Sequence, residues 1–470
     1  MPISDHIGGF IRPGFNPLLV TDAPTIGAAS VGEDVGAGAI SVSFTAPSNV
    51  GGGAITGYTV TARDTVSGLT FAATGTSSPI TVTGLSVGQS YTGTASATNA
   101  YGPSGTSAAS NSAEVEILAG ALWGWGRNLN GALGLGNTTD YSSPVQIGAI
   151  TTWSNLTSGA AWTAATQQNG TLWAMGANGS GQLGDGTTTN RSSPTQVGAL
   201  TTWDKISAGG YFLLATKTDG TLWAQGSNTI GMLGQGNTTN YSSPVQIGSL
   251  TNWSQVATAT STSYALTTSG TLYAWGDNSS GQCAQGNTTD YSSPVQIGAL
   301  TNWSKIGASN FGCVAIKTDG TLWSWGRNQF GQVGDGTTTD RSSPVQVGAL
   351  TTWSSARGGY GTILAITTAG TLYAWGYNTN GQLGDGTTTV RSSPVQVGAL
   401  TTWSKVGGSG TGMQAIKTDG TLWSWGNAQF GMNGLGNLTT YSSPVQVGAL
   451  TTWFKIATGV NTYQMLATQR

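Results

Sequence analysis

Seven copies of a 50-residue unit fill the last three-quarters of this 470-residue chain and keep strict register. The pair Leu-Trp or Leu-Tyr ends at Trp123, Trp173, Trp223, Tyr273, Trp323, Tyr373 and Trp423. A second marker, Trp after Thr-Thr or Thr-Asn, recurs at the same interval from Trp153 to Trp453. No insertion interrupts either series, and Ala121 to Arg470 reads as seven whole periods. A fixed period of this size marks a propeller or solenoid, whose units bury their faces only against one another. It also supplies an internal alignment in which copies can be compared position by position.

Composition narrows the class. Only 7% of residues are charged and the net charge is -2. Nucleic acid, which demands clustered Lys and Arg, is not an expected partner. Seventy-four glycines without a collagen period belong to turns and close-packed strands. With abundant Thr and Ser and aromatics at fixed places, the chain reads as all-β. No apolar run reaches membrane-spanning length. Cys283 and Cys313 occupy places held by Leu183 and Leu213 in other copies, which predicts buried thiols.

Residues 1–21 form a leader. It lacks the basic start and apolar core of a Sec-type signal peptide. Its Ile7, Phe10, Ile11, Phe15, Leu18 and Leu19 are too few for a core. Either they form a tail or arm on the neighbouring domain, or they anchor the chain by ordering against a structural protein of a virion or cell surface.

Residues 22–117 alternate as short strands at Ile40–Phe44, Tyr58–Ala62, Ile80–Thr83 and Tyr91–Ala97, separated by Gly and Pro, the spacing of a β-sandwich. Ala23-Pro24, Gly57-Tyr58-Thr-Val, Ile80-Thr-Val-Thr-Gly-Leu85, Tyr91 and Thr98-Asn99-Ala-Tyr-Gly102 resemble a fibronectin type III domain. The resemblance makes Tyr91 the tyrosine-corner residue and implies a spacer role. Phe44 stands near the place of the family's usual core Trp.

The repeats, residues 118–470, resemble the regulator of chromosome condensation type in Asp-Gly-Thr-Leu-Trp and Trp-Gly-x-Asn-x-x-Gly-Gln-Leu-Gly elements. That resemblance implies a seven-bladed β-propeller with four strands per blade. Thr-Asp-Gly at 218–220, 318–320 and 418–420 predicts a tight hairpin. The series begins at a third strand, Leu122–Gly126, and ends after a second, near Met465–Thr468. One blade is therefore expected to combine both ends and protect its edges. Alternating strand directions put the one-to-two and three-to-four loops on one face, the upper. The chain enters from the lower face, so the sandwich and leader are expected to tether the propeller from below.

The lower-face segments are nearly identical among copies, whereas the upper loops differ. After strand one they read Ala160-Ala-Trp162, Gly210-Tyr-Phe212, Thr260-Ser-Thr262, Asn310-Phe-Gly312, Tyr360-Gly-Thr362, Gly410-Thr-Gly412 and Val460-Asn-Thr462. Seventeen of the 18 Trp follow the repeat and read as blade core, Trp323 among them. Trp162 does not, and joins Tyr211, Phe212, Phe311 and Tyr360 as an upper-loop aromatic. Arg127, Arg327, Phe330 and Tyr377 complete the candidate ligand-binding set. Aromatics flanked by Asn, Ser and Thr suit sugar rings or protein loops.

Enzymatic chemistry finds little support. His6, in the leader, is the only histidine, which excludes a histidine triad or His-based metal site in the propeller. Asp335-Gly-Thr-Thr-Thr-Asp340 has the oxygens for Ca²⁺, but its counterparts Asp185/Asn190 and Asp385/Val390 do not keep them, so it reads as a turn. No metal or cofactor is expected. The resembled family includes exchange factors that act on a small GTPase and contact chromatin, but their basic tail is missing here. The expected function is a non-enzymatic adhesin: a bacteriophage fibre or decoration protein on the virion, binding a host surface glycan or protein. The alternatives are an extracellular or bacterial cell-surface adhesin, or a protein-binding regulator of inhibitor-like or exchange-factor-like kind.

Overall fold

The structure, a computed structural model, describes residues 20–31, 39–86, 89–115, 119–459 and 462–470. The proposed anchor residues Ile7, Phe10, Ile11, Phe15, Leu18 and Leu19 lie outside them. The chain divides into two compact units, Met1–Leu118 and Ala119–Arg470.

The first unit has two antiparallel sheets. Thr25–Ser30, Ile40–Thr45 and Ile80–Val82 form one. Thr70–Gly75, Ile55–Asp64 and Ser90–Asn99 form the centre of the other. Ser90–Asn99 buries every second residue, as a strand with one face on a core must. Tyr91 heads that series, and its hydroxyl accepts the Ser86 N–H at 3.0 Å, the tyrosine-corner bond. Phe44 packs on Tyr58 with ring centroids 4.8 Å apart.

In the second unit every repeat contributes an antiparallel four-stranded stack, here called by the Trp that opens its first strand. The Trp203 stack is typical: Trp203–Ala208, Phe212–Lys217, Leu222–Gly226 and Tyr241–Gln246, hydrogen-bonded in chain order. Burial peaks at the second strand. The second strand is wholly buried, whereas the fourth is half exposed. The Trp453 stack is made from both ends of the repeats: Tyr141–Gln146, Ala121–Gly126, Gln464–Gln469 and Trp453–Ile456. The short strand Thr458–Gly459 leaves this stack and pairs in parallel with the first strands of both neighbours, at Thr157, Ser158 and Ser409.

The repeated words of the sequence are hydrogen-bond circuits. In Thr218-Asp-Gly-Thr-Leu-Trp223, Asp219 Oδ1 accepts the Thr221 N–H at 2.9 Å and its hydroxyl at 2.6 Å. The indole N–H of Trp223 donates to the same hydroxyl at 2.8 Å. Gly220 turns at φ 76°, and a Cβ there would strike the carbonyl of Thr251. Between stacks, Gly136 N–H donates to Ser192 O, Gly186 to Ser242, Gly236 to Ser292, Gly286 to Ser342, Gly336 to Ser392 and Gly386 to Ser442. The series then returns to its start, because Gly436 N–H donates to Ser142 O at 2.8 Å. The Trp-Gly indoles reinforce it: Trp325 Nε1 donates to Gln282 O of the preceding stack at 2.9 Å, and Trp125 to Met432 O at 3.0 Å. Where Gln225 replaces that Trp, its amide makes the same bond to Gln182 O at 3.0 Å.

Two sequence expectations are corrected. The Leu-Trp set, Trp323 included, is half-buried rather than core, because the alternation of the third strand turns Leu322 inward and Trp323 toward the rim. Lysines cover these rings: Lys217, Lys317 and Lys417 hold Nζ 3.4–3.6 Å from the centroids of Trp223, Trp323 and Trp423. The two tyrosine copies, Tyr273 and Tyr373, have Thr267 and Thr367 in place of the lysine. Second, the last copy does carry an insertion. Trp153 pairs with Gln167 but Trp453 with Gln469, a two-residue lengthening after the first strand. It accommodates the bridging strand Thr458–Gly459.

The motif from Asp335 to Asp340 is a turn. Burial alone would raise the Asp335 carboxyl; the Thr337 hydroxyl and N–H and the Arg341 guanidinium outweigh it and hold it below the ordinary carboxylate value. Asp185 with Arg191 and Asp385 with Arg391 repeat the arrangement. Asp340 Oδ1 accepts the Asn328 N–H at 2.7 Å.

Two measurements follow from this packing. In a double-mutant cycle of Lys317→Thr and Trp323→Tyr, thermal unfolding should show positive coupling of about 0.5–1 kcal/mol, the second change costing less once the first is made. Asp185, Asp335 and Asp385 have depressed folded-state values, so their stabilisation is present above about pH 4 and is lost as pH falls through those values. The Asp185→Asn/Asp335→Asn/Asp385→Asn variant should therefore lose part of the wild-type fall in unfolding temperature between about pH 5 and about pH 2.

Candidate functional site

The upper loops are fastened before any ligand arrives. Within a stack, one backbone bond joins the two loops: Arg127 N–H to Tyr463 O, Ser227 to Tyr211, Arg327 to Phe311 and Tyr377 to Gly361, at 2.8–3.0 Å. Between stacks a second belt runs from Ala160 N–H to Gly210 O, Gly210 to Thr260, Thr260 to Asn310 and Asn310 to Gly359, and continues from Tyr360 to Gly410. Side chains on these loops therefore project from a fixed frame.

Two arginine–aromatic clusters stand on that frame. In the first, Arg327 lies 5.0 Å from the Phe311 centroid. Phe311 meets Tyr360 at 5.9 Å, Tyr360 meets Tyr377 at 5.9 Å, and Tyr377 meets Phe330 at 4.7 Å. All five are half-buried and come from the Trp303 and Trp353 stacks. Arg327 is held by donating from Nη2 to Gln329 Oε1. In the second, Arg127 lies 4.7 Å from the Phe430 centroid and 5.8 Å from that of Tyr463, and those rings meet edge-on at 5.5 Å. Tyr211 stands apart and is 51% exposed.

The structure thus unites Phe311, Arg327, Phe330, Tyr360 and Tyr377, and places Arg127 and Tyr211 elsewhere on the same face. Trp162 and Phe212 are corrected: neither is a loop residue. Each opens a second strand and is fully buried. The reason is steric. Gly159 and Gly209, three residues earlier, leave the space these rings occupy, and a Cβ on either would collide with them. The Trp162 indole N–H donates to Gly210 O at 2.8 Å, so this ring fastens two stacks together.

Tyr463 and Phe430 were missed as site residues. The two-residue insertion makes Tyr463, not Asn461, the counterpart of Tyr211 and Phe311. Aligning Met465-Leu-Ala-Thr468 with Leu213-Leu-Ala-Thr216 would have shown it.

Acid–base or metal chemistry has little to work with on this face. Asp277, the acid of the variable loops, accepts from Ser279 N–H and Gln282 Nε2. Among the described residues no group of three or more His, Cys, Asp or Glu is placed to hold a metal ion. None of their helices is long and apolar enough to cross a membrane. Cys283 and Cys313 are free and buried, and burial pushes both thiols well above their ordinary value.

Stacked four-stranded sheets returning on themselves define a repeat fold of propeller-like arrangement. The regulator of chromosome condensation (RCC1) repeat profile matches residues 119–165, 169–216, 219–266, 269–316, 319–366 and 369–412, and a second profile of that repeat matches 253–282, 303–332 and 355–382. The chain belongs to the RCC1 repeat family. Residues 22–113 match the fibronectin type III domain. Among solved structures, human WBSCR16 is similar at 21% identity and a TM-score of 0.67, over 75% of this chain and 99% of that one. Prp20p from Saccharomyces cerevisiae, studied with its binding properties to Gsp1p and histones, is similar at 20% identity and a TM-score of 0.66, over 75% and 91%. Yeast RCC1 (Prp20), solved with Kap60 bound to it, is similar at 18% identity and a TM-score of 0.67, over 75% and 90%. At these identities the likeness is one of fold. No protein of curated function matches the sequence.

Trp162→Ala should destabilise the repeat unit by about 3–5 kcal/mol in denaturant unfolding, the cost of emptying a core site, and should leave the first arginine–aromatic cluster in place.

Proposed function

We propose that this protein is a non-enzymatic recognition module that binds a protein partner through the upper loop face of a seven-bladed propeller. The observation that carries this reading is the pair of arginine–aromatic clusters on a hydrogen-bonded frame. Arg and Tyr are the residues that dominate protein–protein hot spots, and a fixed frame lowers the ordering cost of binding. Family membership and fold support it, since structures of similar fold include one solved with a protein bound. The count of seven rests on the bonds that return from Gly436 to Ser142 and on the Trp453 stack built from both chain ends.

Of the two ligand classes expected from sequence, a glycan or a protein, a protein suits this face better. Trp162 and Phe212, two of the rings meant to stack on sugars, lie in the core. Of the remaining rings, Phe311, Tyr360 and Tyr377 meet edge-on, Phe330 lies tilted on Tyr377, and Arg327 covers Phe311. Display on a virion or cell surface rests on the leader pattern alone, and the fibronectin type III domain would serve as its spacer.

The test places a photo-crosslinking residue at Tyr360 or, as control, at Leu400 on the lower face. Each is exposed to extract of the cell that makes the protein, with and without Phe311→Ala/Arg327→Ala. A protein crosslinked from position 360 and lost in the double variant, whose melting temperature is unchanged, is the expected result. Crosslinks from position 400 alone, or a glycan-array signal removed by the same double variant, would overturn it.

A further inference from the structure

The loop face is uneven for a steric reason. The Trp303 stack carries Asn310, Phe311 and Arg327 where the Trp153 stack carries Ala160, Ala161 and Ala177. Beside those alanines lies a cavity of about 270 Å³. Its walls are aromatic and cationic: Tyr211 on one side, Arg127 and Tyr463 on the other, with Leu129, 45% exposed, among them. Ala161 in the lining adopts φ 59°, a left-handed backbone that costs an alanine about 1–2 kcal/mol. Gln464, also in the lining, donates to Gly159 O and Trp162 O, which fastens the adjoining strands.

The charge in this cavity is uncommitted. Arg191, Arg341 and Arg391 each hold a carboxylate. Among the described residues no carboxylate lies within ion-pair distance of Arg127, whose guanidinium rests instead on Phe430 and Tyr463. One half-buried guanidinium between apolar walls matches one carboxylate on an apolar neighbour. A phosphate, with more charge, would call for a second cation, and Arg127 is the one Lys or Arg in the lining. The volume is below the roughly 300–1,000 Å³ of pockets for drug-sized molecules, and suits one or two side chains.

We propose that this cavity is the seat for a Glu or Asp side chain of the protein partner. Arg127 takes the carboxylate, while Tyr211, Tyr463 and Leu129 take the apolar residue beside it. The assignment rests on the reading of the loop face as a protein-binding surface. It adds the chemistry of the bound segment and a second contact point, separate from the Phe311–Tyr360 cluster.

Blocked dipeptides isolate this step. Acetyl-Leu-Glu-amide and acetyl-Leu-Gln-amide are titrated into the full chain and followed by saturation-transfer NMR, with inorganic phosphate as competitor. The Glu peptide should bind about tenfold more tightly than the Gln peptide, one charge-assisted hydrogen bond's worth. Arg127→Gln should erase the difference. Ala177→Tyr, the residue the Trp353 stack carries at that place, should fill the cavity and abolish binding of both. Melting curves verify that each variant folds. Equal affinity for the two peptides, no effect of either variant, or displacement by phosphate at lower concentration than by the Glu peptide would overturn the assignment. If the dipeptides fail while crosslinks from position 360 persist, the cavity assignment falls and the protein-binding face stands. Dipeptide binding without those crosslinks removes the face reading instead.

Discussion

One backbone hydrogen bond, from the glycine after each third strand to a serine of the next stack, sets the terms for everything else. It runs from Gly136 to Ser192 and onward until Gly436 returns to Ser142. No stack covers both of its own faces, so stability belongs to neighbouring pairs rather than single units. The indoles of Trp125, Trp275, Trp325, Trp375 and Trp425 reach backward across the same boundary. With each three-to-four loop fastened to its neighbour in this way, other positions of the upper loops can change sequence without changing frame.

The copies also show how tightly small circuits constrain substitution. Asn178 holds its loop by donating to Thr187 O and Thr189 O and accepting from Leu183. In the Trp403 stack the corresponding residue is Ala428, and an asparagine appears at 433, donating to Thr439 O at 3.1 Å. The amide has moved five residues and still satisfies the equivalent loop carbonyl. Likewise the pairing of Asp with Arg in three loops gives way in others to Tyr in the place of the Arg with an Asn two residues beyond the place of the Asp, as in Asn137 and Tyr141. At these two loop sites the drift keeps the polar groups paired, because an orphaned buried one costs more than the bond itself gains.

What could be read from the sequence was what is local. The Thr-Asp-Gly hairpin, the Tyr91 corner and the sheet built from both ends each depend on residues close in sequence or on the period. Trp162 and Phe212 could not be placed that way. Their burial depends on Gly159 and Gly209, whose missing side chains matter only once strands are paired. Tyr463 escaped because the last copy has no Leu-Trp marker beyond that loop, so counting from Trp453 alone hid the two extra residues. The arginine–aromatic clusters needed the structure, since Phe330 and Tyr377, or Phe430 and Tyr463, meet only across a boundary between stacks.

The seam has a mechanical side. Ala121 lies opposite Gln469 and Gly126 opposite Gln464, so the two ends of the repeat region leave the closing sheet from the same edge. Tension between those ends would unzip that strand pair one bond at a time, rather than shear the whole row together. The bridging strand Thr458–Gly459, held by both neighbouring first strands, stands behind that edge. A pull on the chain would thus meet a weak outer fastening first and a second, inner one afterwards.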